Sequence, residues 1–122
     1  MADILLLDDS EDLVEMFQIL FNRKGFGLRS TSTESSFFTE LNRQKPDLVI
    51  LDIMLSDSDG RDVYINLKSK DNIKDVPVIM MSSNPKLLES CKGIYGEDYL
   101  EKPFEIIDLL NKVNHYINRQ GN

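Results

Sequence analysis

Three uninterrupted apolar segments constrain the fold of this chain more than any other feature of its sequence. Each is four residues long and is followed at once by an aspartate or a serine; the segments are residues 4–7, 48–51 and 78–81. Apolar runs without alternation are typical of strands that are buried on both faces, and such strands occur mainly in parallel sheets covered by helices on both sides. The three segments therefore predict the central strands of an α/β domain.

Two further strand candidates and five helical segments complete the pattern. Residues 26–31 read as a half-exposed strand, and residues 98–100 form a short one. A helical segment follows each of the five strands, which predicts right-handed crossovers between parallel strands. We place the mixed second strand and the short fifth strand at the edges of the sheet. The expected architecture is a flavodoxin-like (βα)5 fold, a doubly wound five-stranded parallel sheet in the strand order 2-1-3-4-5.

The last helix is predicted to begin near residue 104 and to pack through one apolar stripe. The members of this stripe are spaced by three and four residues: Phe104, Ile107, Leu110, Val113 and Ile117. His115 lies off the stripe and is expected to face solvent. Cys91, near the end of the fourth helix, is interpreted as a small packing residue. Neither His115 nor Cys91 is assigned a chemical role.

The composition of the whole chain narrows the class of protein. A length of 122 residues predicts one domain over residues 1–122, and a single cysteine leaves no internal disulfide. We find no secretory signal and no apolar run near the ~18 residues that a membrane span needs, so we expect a cytoplasmic protein without membrane contact. The net charge of −7, with no basic cluster larger than Arg23 and Lys24, argues against direct nucleic-acid binding.

Acidic residues follow two of the central strands. Asp8 and Asp9 end the first strand, and Asp52 ends the third, which is its neighbour in the predicted order. Two unit charges ~4 Å apart repel by about 4 kcal/mol at an effective dielectric of about 20, so converging carboxylates require a cation. We predict Mg²⁺, with Mn²⁺ as a substitute, held by these side chains and by the backbone carbonyl of Met54. The alternative is that Asp8 and Asp9 only cap the following helix.

Asp52 has the position of a nucleophile. A carboxylate that attacks phosphorus forms an aspartyl phosphate, and protein catalysis of this transfer rests mainly on positioning and charge neutralisation. Ser82 ends the fourth strand and Lys102 follows the fifth, so both reach the same edge of the sheet. Taken singly, they are typical of a turn serine and a solvated lysine. Together with the acidic residues they predict a phosphoryl-transfer site.

Five sequence features, in this order and spacing, match one family. They are the acidic pair Asp8 and Asp9, residues 47–52, Gly60, residues 77–82 and residues 99–104. On these features the chain resembles the receiver domain of two-component response regulators over essentially its whole length. The resemblance implies that Asp52 accepts a phosphoryl group from the phosphohistidine of a histidine kinase or phosphotransfer protein. It also implies the Mg²⁺ ligands named above, phosphoryl contacts from Ser82 and Lys102, and a cis bond between Lys102 and Pro103.

The resemblance further implies a conformational switch in a phosphorelay. Ser82 moves toward the phosphoryl group, Tyr99 rotates into the vacated space, and the face formed by the fourth helix, fifth strand and fifth helix changes for binding of a downstream target. Candidate contact residues on that face are Lys86, Glu89, Tyr95, Tyr99 and Glu101. The domain would be a monomer or a phosphorylation-promoted dimer. The kinase, the stimulus and the output stay open, as does whether the domain stands alone or belongs to a longer regulator or hybrid kinase.

Two positions depart from the commonest family pattern, and two more bear on the lifetime of the phosphoryl group. Ser83 stands where alanine or glycine is usual in the family. Ser56 stands where proline is frequent, so the loop after Asp52 is expected to be more mobile. Met54 and Asn84 occupy positions that tune dephosphorylation in the family. Neither positions a water molecule strongly, so we predict slow autodephosphorylation.

Two other functions compete with the phosphoacceptor hypothesis. A haloacid-dehalogenase-like phosphatase also uses an aspartate nucleophile, but it needs a second aspartate two positions later, where this chain has Met54. The third possibility is a pseudo-receiver that is never phosphorylated. The presence of the acidic pair together with Asp52, Ser82 and Lys102 argues against it. We therefore expect a signalling domain rather than an enzyme, whose only catalysis is its own phosphorylation and slow autodephosphorylation.

Overall fold

Five parallel strands form one sheet in the part of the chain that the structure describes. The computed structural model describes residues 1–120, with side chains for residues 1–118. The strands are β1 (Asp3–Leu7), β2 (Gly27–Thr31), β3 (Leu48–Asp52), β4 (Val78–Ser82) and β5 (Asp98–Glu101), and the helices are α1 (Glu11–Arg23), α2 (Glu34–Arg43), α3 (Gly60–Lys68), α4 (Pro85–Cys91) and α5 (Ile106–Gln120). The strand order is β2-β1-β3-β4-β5. This order confirms the predicted doubly wound, flavodoxin-like architecture.

The registers of the strand pairs bring the carboxyl ends of the central strands to one edge of the sheet. Leu7 of β1 is paired with Leu51 of β3, and Asp52 is paired with Met81 of β4. Asp8, the residue after Leu7, therefore lies beside Asp52, and the serine that ends β4 lies one residue further along. Because parallel neighbours end at the same edge, the strand order by itself gathers these polar residues.

Two apolar layers fill the space on the two sides of the sheet. Val49 and Leu51 of β3 pack into the layer formed with α2, α3 and α4. Leu48 and Ile50 pack into the layer formed with α1 and α5. All five residues of β3 are buried, which explains why its sequence does not alternate. Each fully buried leucine or isoleucine side chain contributes about 1.5–3 kcal/mol to folding.

Polar side chains cap two helices at the carboxyl edge of the sheet. Ser10 Oγ accepts the main-chain N–H of Leu13 at the start of α1, at 3.3 Å. Asn84 Oδ1 accepts the N–H of Leu87 at the start of α4, at 3.1 Å, and Pro85 occupies the first helical position. The caps satisfy N–H groups that have no partner inside the helix, so both helices start directly after the strand ends.

The predicted apolar stripe of the last helix is wrong in its first turn. α5 begins at Ile106, so Phe104 precedes the helix, and Ile107 is 62% exposed. With 3.6 residues per turn, Ile107 shares its face with Asn111 and Asn114, which are also exposed. The residues of the packed face are Leu109, Leu110, Val113, Tyr116 and Ile117. No helix within residues 1–120, α5 included, has the length and apolar character that crossing a membrane requires.

His115 and Cys91 lie where the sequence predicted them. His115 is exposed on α5, with its ring 4.8 Å from the ring of Tyr116. Cys91 is fully buried at the end of α4 and is a free thiol. Burial raises the pKa of this thiol, which disfavours the reactive thiolate.

Candidate functional site

Three carboxylates converge at the carboxyl edge of the sheet. Asp8 and Asp52 are 1% and 6% exposed, whereas Asp9 is exposed to solvent. One carboxylate oxygen from each of these residues lies within 4.8 Å of the other two. Hard carboxylate oxygens suit Mg²⁺, which binds through a small number of carboxylates and keeps several water molecules. The donor set therefore fits the cation that the sequence predicted.

Lys102 lies between two of these carboxylates. Its Nζ is 2.7 Å from Asp8 Oδ2 and 3.3 Å from Asp52 Oδ2. The main-chain N–H of Lys102 donates to the carbonyl of Ser82 at 2.9 Å, which ties the lysine to the end of β4. The Lys102–Pro103 peptide bond is cis, as the family resemblance implied. Three carboxylates and one ammonium group leave a net negative charge, so a divalent cation would be electrostatically favourable here.

The surroundings shift the ionisation of Asp52 and Lys102. Burial raises the pKa of Asp52; the ammonium group of Lys102 opposes this effect, and the charge of Asp8 adds to it. Burial acts to lower the pKa of Lys102, but the hydrogen bond to Asp8 and the charge of Asp52 outweigh it, so this pKa is raised. The lysine is therefore held in its charged form, whereas Asp52 ionises less readily than an ordinary aspartate.

Main-chain N–H groups orient all three carboxylates, which sequence reasoning missed. Each carboxylate accepts one such bond: Asp8 from Ser10 at 2.9 Å, Asp52 from Met54 at 3.3 Å and Asp9 from Ser56 at 3.0 Å. The first two are local bonds, of the kind that aspartate side chains form with the chain two residues further on. The third joins residues 47 positions apart. The one sequence signal for it is that position 56 is a residue with an N–H group rather than a proline.

Ser82 lies at the same edge, as predicted, with its hydroxyl engaged locally. It ends β4 and is fully buried. Its Oγ accepts the main-chain N–H of Asn84 at 3.0 Å. The neighbouring Ser83 is exposed. In this conformation the Ser82 hydroxyl stabilises the turn into α4, so a contact with a phosphoryl group on Asp52 would require it to reorient.

The loop of residues 53–59 closes against the end of β3. The N–H of Gly60 donates to the carbonyl of Ile53 at 2.7 Å, and Met54 and Asp59 form an isolated antiparallel bridge. A Cβ atom at Gly60 would lie 2.3 Å from the carbonyl oxygen of Asp52, so a side chain cannot fit without moving the backbone. Met54 is 57% exposed, which leaves its side chain at the mouth of the site. The match of Gly60 to the family pattern thus has a steric reason.

Tyr99 is folded over the segment that joins α4 to β5. Its hydroxyl accepts the N–H of Gly93 at 3.0 Å and lies 2.9 Å from the carbonyl of Gly96 and 3.1 Å from that of Cys91. Tyr99 and Tyr95 are half-buried against the core, and this differs from the exposure that the sequence suggested for these two rings. Both rings pack against the apolar layer that lies between the sheet and helices α2, α3 and α4. The exposed candidates on the predicted switching face are Lys86, Glu89 and Glu101.

Comparison with known proteins identifies relatives over nearly the whole chain. A family model described as the response regulator receiver domain matches residues 4–114. The chain is 30% identical over 120 residues to the probable transcriptional regulatory protein TcrX of Mycobacterium tuberculosis. It is 31% identical over 118 residues to the transcriptional regulatory protein GltR of Pseudomonas aeruginosa. These alignments cover 97% and 95% of this chain but 50% and 49% of the relatives, so the chain spans about half the length of the curated relatives it matches.

Solved structures share the fold. The N-terminal domain of a response regulator receiver protein from Methanoculleus marisnigri is 30% identical, with a TM-score of 0.74 over 94% of this chain and 95% of that chain. The chemotaxis response regulator CheY4 of Vibrio cholerae has a TM-score of 0.85 over 95% of this chain and 98% of that chain. Its identity of 19% supports the fold alone. From the match of the family model to most of its length, the chain belongs to the response regulator receiver domain family.

Proposed function

We propose that this domain is a phosphoacceptor in a two-component phosphorelay and that Asp52 is the residue that becomes phosphorylated. The observation that carries the proposal is the convergence of Asp52 with Asp8, Asp9 and Lys102 at one edge of the sheet. Membership of the receiver family supports a role in signalling. Asp52 is the favoured acceptor because it ends the central strand β3 and lies farther from the lysine than Asp8 does.

The proposed reaction moves a phosphoryl group from a phosphohistidine of a histidine kinase or phosphotransfer protein to Asp52. A new bond joins phosphorus to a carboxylate oxygen, the bond between phosphorus and the imidazole nitrogen breaks, and its electron pair stays on the imidazole. Lys102, which is held in its charged form, would neutralise one of the equatorial oxygens. The Ser82 hydroxyl would donate to another after leaving the N–H of Asn84.

The groups that would hold Mg²⁺ are the side chains of Asp8, Asp9 and Asp52 and the backbone carbonyl of Met54. When bound, Mg²⁺, or Mn²⁺ in its place, supplies positive charge that offsets the charge on the phosphoryl oxygens. The chain itself contributes preorganisation, because main-chain N–H groups already orient the three carboxylates. The domain then catalyses only its own phosphorylation and the slow loss of the phosphoryl group.

A rearrangement of the face formed by α4, β5 and α5 is the proposed output. Reorientation of Ser82 would open space beside β4, and inward movement of Tyr99 would release the three backbone groups that its hydroxyl contacts. The exposed side chains of Lys86, Glu89 and Glu101 are the candidates for contact with a downstream target. On this proposal the domain is a monomer that can dimerise when it is phosphorylated.

The relatives TcrX and GltR are described as transcriptional regulatory proteins, and each is about twice as long as the matched region. We propose that this domain controls its output through protein contacts in the cytoplasm. A net charge of −7 makes direct contact with nucleic acid by the domain itself unfavourable.

Covalent labelling tests the proposed function. The protein is incubated with acetyl phosphate and Mg²⁺, and its intact mass is measured. The wild type is expected to gain one phosphoryl group, and Asp52→Ala none. Asp57→Ala is the matched control, since Asp57 is an exposed aspartate in the loop that follows Asp52. Labelling of Asp52→Ala to the wild-type level, or a folded wild type that takes no label, contradicts the proposal.

Binding of beryllofluoride, a phosphoryl analogue, gives an independent readout of the same site. We expect Mg²⁺-dependent binding to the wild type and to Asp57→Ala, and no binding to Asp52→Ala. Steady turnover of a generic phosphate ester would instead favour an aspartate-nucleophile phosphatase. A folded protein that neither binds the analogue nor turns over the ester would be a pseudo-receiver.

A further inference from the structure

One hydrogen bond connects the loop after β3 to the acidic residues after β1. The main-chain N–H of Ser56 donates to Asp9 Oδ2 at 3.0 Å, across 47 positions of sequence. Both residues are exposed, so neither is held in place by burial. Among the side chains of residues 1–118, the Asp9 carboxylate has no contact comparable to the ion pairs that Lys102 forms with Asp8 and Asp52. The orientation of Asp9 therefore depends on the loop.

The bond leaves the other oxygen of Asp9 available. An amide that donates to Oδ2 restricts the rotation of the side chain, and Asp9 forms a cluster with Asp8 and Asp52 in which one oxygen from each residue lies within 4.8 Å of the other two. The partial positive charge of the N–H group also offsets part of the electrostatic repulsion among the three neighbouring carboxylates. A free, exposed aspartate would otherwise lose rotamer freedom each time a cation binds.

We propose that the main-chain N–H of Ser56 is a positioning group for the divalent cation, acting through Asp9. It holds Asp9 in the orientation that faces the other two carboxylates before the cation arrives, and in return the bound cation holds the loop of residues 53–59 closed. The inference rests on the proposed function, since the cation site is the one that phosphorylation of Asp52 uses. Ser56 itself is not a ligand and does not touch the phosphoryl group.

Position 56 offers a matched pair of variants. Ser56→Ala keeps the N–H group, and the Ser56 hydroxyl forms no hydrogen bond with the described residues 1–118 that it would lose. Ser56→Pro removes the N–H group and leaves Asp9 without its donor. The affinity for Mg²⁺ is measured by titration of the ¹⁵N-labelled protein, followed by two-dimensional NMR. Ser56→Ala is expected to bind within about twofold of the wild type, and Ser56→Pro about fivefold more weakly.

A proline also stiffens the chain, so the same comparison is made in an Asp9→Ala background. If Ser56 acts through Asp9, Ser56→Pro no longer changes the affinity for Mg²⁺ once the Asp9 carboxylate is gone. A fivefold effect that persists without Asp9 would overturn the inference, because it would come from loop stiffness alone. Equal weakening by Ser56→Ala and Ser56→Pro would overturn it as well, because the hydroxyl would then be the active group.

A metal-free measurement covers the case in which Ser56→Pro does not fold. In EDTA, Asp9→Asn is expected to shift the amide proton resonance of Ser56 upfield, because a neutral acceptor makes a weaker bond than a carboxylate. An unchanged Ser56 resonance would refute the bond itself. Different results would contradict the proposed function and the role of Ser56. A wild type that binds no Mg²⁺ and takes no label overturns the proposed function, whereas a labelled wild type whose Mg²⁺ affinity matches that of Ser56→Pro overturns only the role of Ser56.

Discussion

The ammonium group of Lys102 lies 2.7 Å from Oδ2 of Asp8, although 94 positions separate the two residues in the chain. The Asp8 side chain is fully buried, and the Lys102 side chain is 20% exposed. The distance from the same ammonium group to Asp52 is longer, at 3.3 Å. The lysine is thus foremost the partner of Asp8, and Asp52 is the less compensated of the two buried carboxylates.

Replacing Asp52 with asparagine is therefore expected to stabilise the metal-free protein. Burial raises the pKa of Asp52 in the folded state, so the stability that this group contributes is present in full below the ordinary aspartate pKa and is lost as the pH rises through the raised value. At neutral pH in EDTA we expect a gain of about 1 kcal/mol, or roughly 3–6 °C in melting temperature. The gain should shrink as the pH falls toward about 3, below the ordinary aspartate pKa of about 3.9, where the carboxyl group is largely protonated in both states.

Thermal melts of Asp52→Asn and of Asp57→Asn, an exposed aspartate, check this prediction. Asp57→Asn should stay within about 0.5 kcal/mol of the wild type. Asp8→Asn is predicted to stabilise the metal-free protein by a smaller amount than Asp52→Asn. The gain is smaller because Asp8→Asn gives up the shorter of the two ion pairs with Lys102, at 2.7 Å for Asp8 against 3.3 Å for Asp52. If both Asp52→Asn and Asp8→Asn melt at or below the wild-type temperature, repulsion among the carboxylates does not destabilise the metal-free protein.

Lys102→Met is expected to destabilise the metal-free protein by about 2 kcal/mol, because it leaves the buried carboxylate of Asp8 without its cation. Saturating Mg²⁺ should recover part of this loss, since a divalent cation can neutralise the same carboxylates. Chemical denaturation with and without Mg²⁺ measures both effects. Lys45→Met is the control: its ion pair with Asp75 is half or more exposed and is expected to contribute under about 0.5 kcal/mol. A Lys102→Met loss that Mg²⁺ does not reduce would contradict this prediction.

Tyr99→Phe removes the hydroxyl that contacts the backbone at Cys91, Gly93 and Gly96. We expect a loss of about 1 kcal/mol and faster hydrogen exchange at the Gly93 amide, because that N–H loses its acceptor. Tyr95→Phe is the matched control, since the Tyr95 hydroxyl forms no hydrogen bond with residues 1–118 and its ring packs against the edge of Tyr64 at 6.4 Å. Equal exchange at Gly93 in the two variants would show that the Tyr99 hydroxyl does not hold this segment.

Gly60→Ala is expected to cost about 2 kcal/mol or more, because the new Cβ would lie 2.3 Å from the Asp52 carbonyl and 2.7 Å from Ile53 Cα. The backbone must move, and with it the end of β3 that carries the Asp52 side chain. Weaker binding of beryllofluoride should therefore accompany the loss of stability. At Gly27 the nearest atom to a new Cβ is the flexible Met1 Sδ at 3.2 Å, so Gly27→Ala should be nearly neutral. Comparable losses in the two variants would rule out this steric role.

Slow autodephosphorylation stays a prediction. The Met54 side chain is at the mouth of the site and is 57% exposed, but a thioether is a poor group for orienting an attacking water molecule. After removal of the phosphoryl donor, loss of the label from Asp52 is followed by intact mass. We expect a half-life of minutes or longer. A half-life of seconds would show that another group activates the water.

The pattern of apolar strands was sufficient to predict the fold. Segments 48–51 and 78–81 are apolar throughout because both faces of β3 and β4 are covered, so their sequence indicates a central position directly. The first turn of α5 was harder to predict, since Ile107 looks like a core residue in a helical pattern. It is 62% exposed because the helix starts two residues after Phe104 and presents a different face to the sheet.

The sequence by itself determined which strands are central and which polar residues meet. Carboxyl ends of adjacent parallel strands share one edge, so the strand order was enough to bring Asp8, Asp52 and Ser82 together. Only the tertiary structure decided how these groups are paired: Lys102 is closer to Asp8 than to Asp52, and Asp9 is bound by the N–H of Ser56. Such pairings depend on the path of loops and on side-chain rotamers, and these follow from contacts between residues far apart in the chain rather than from any local pattern.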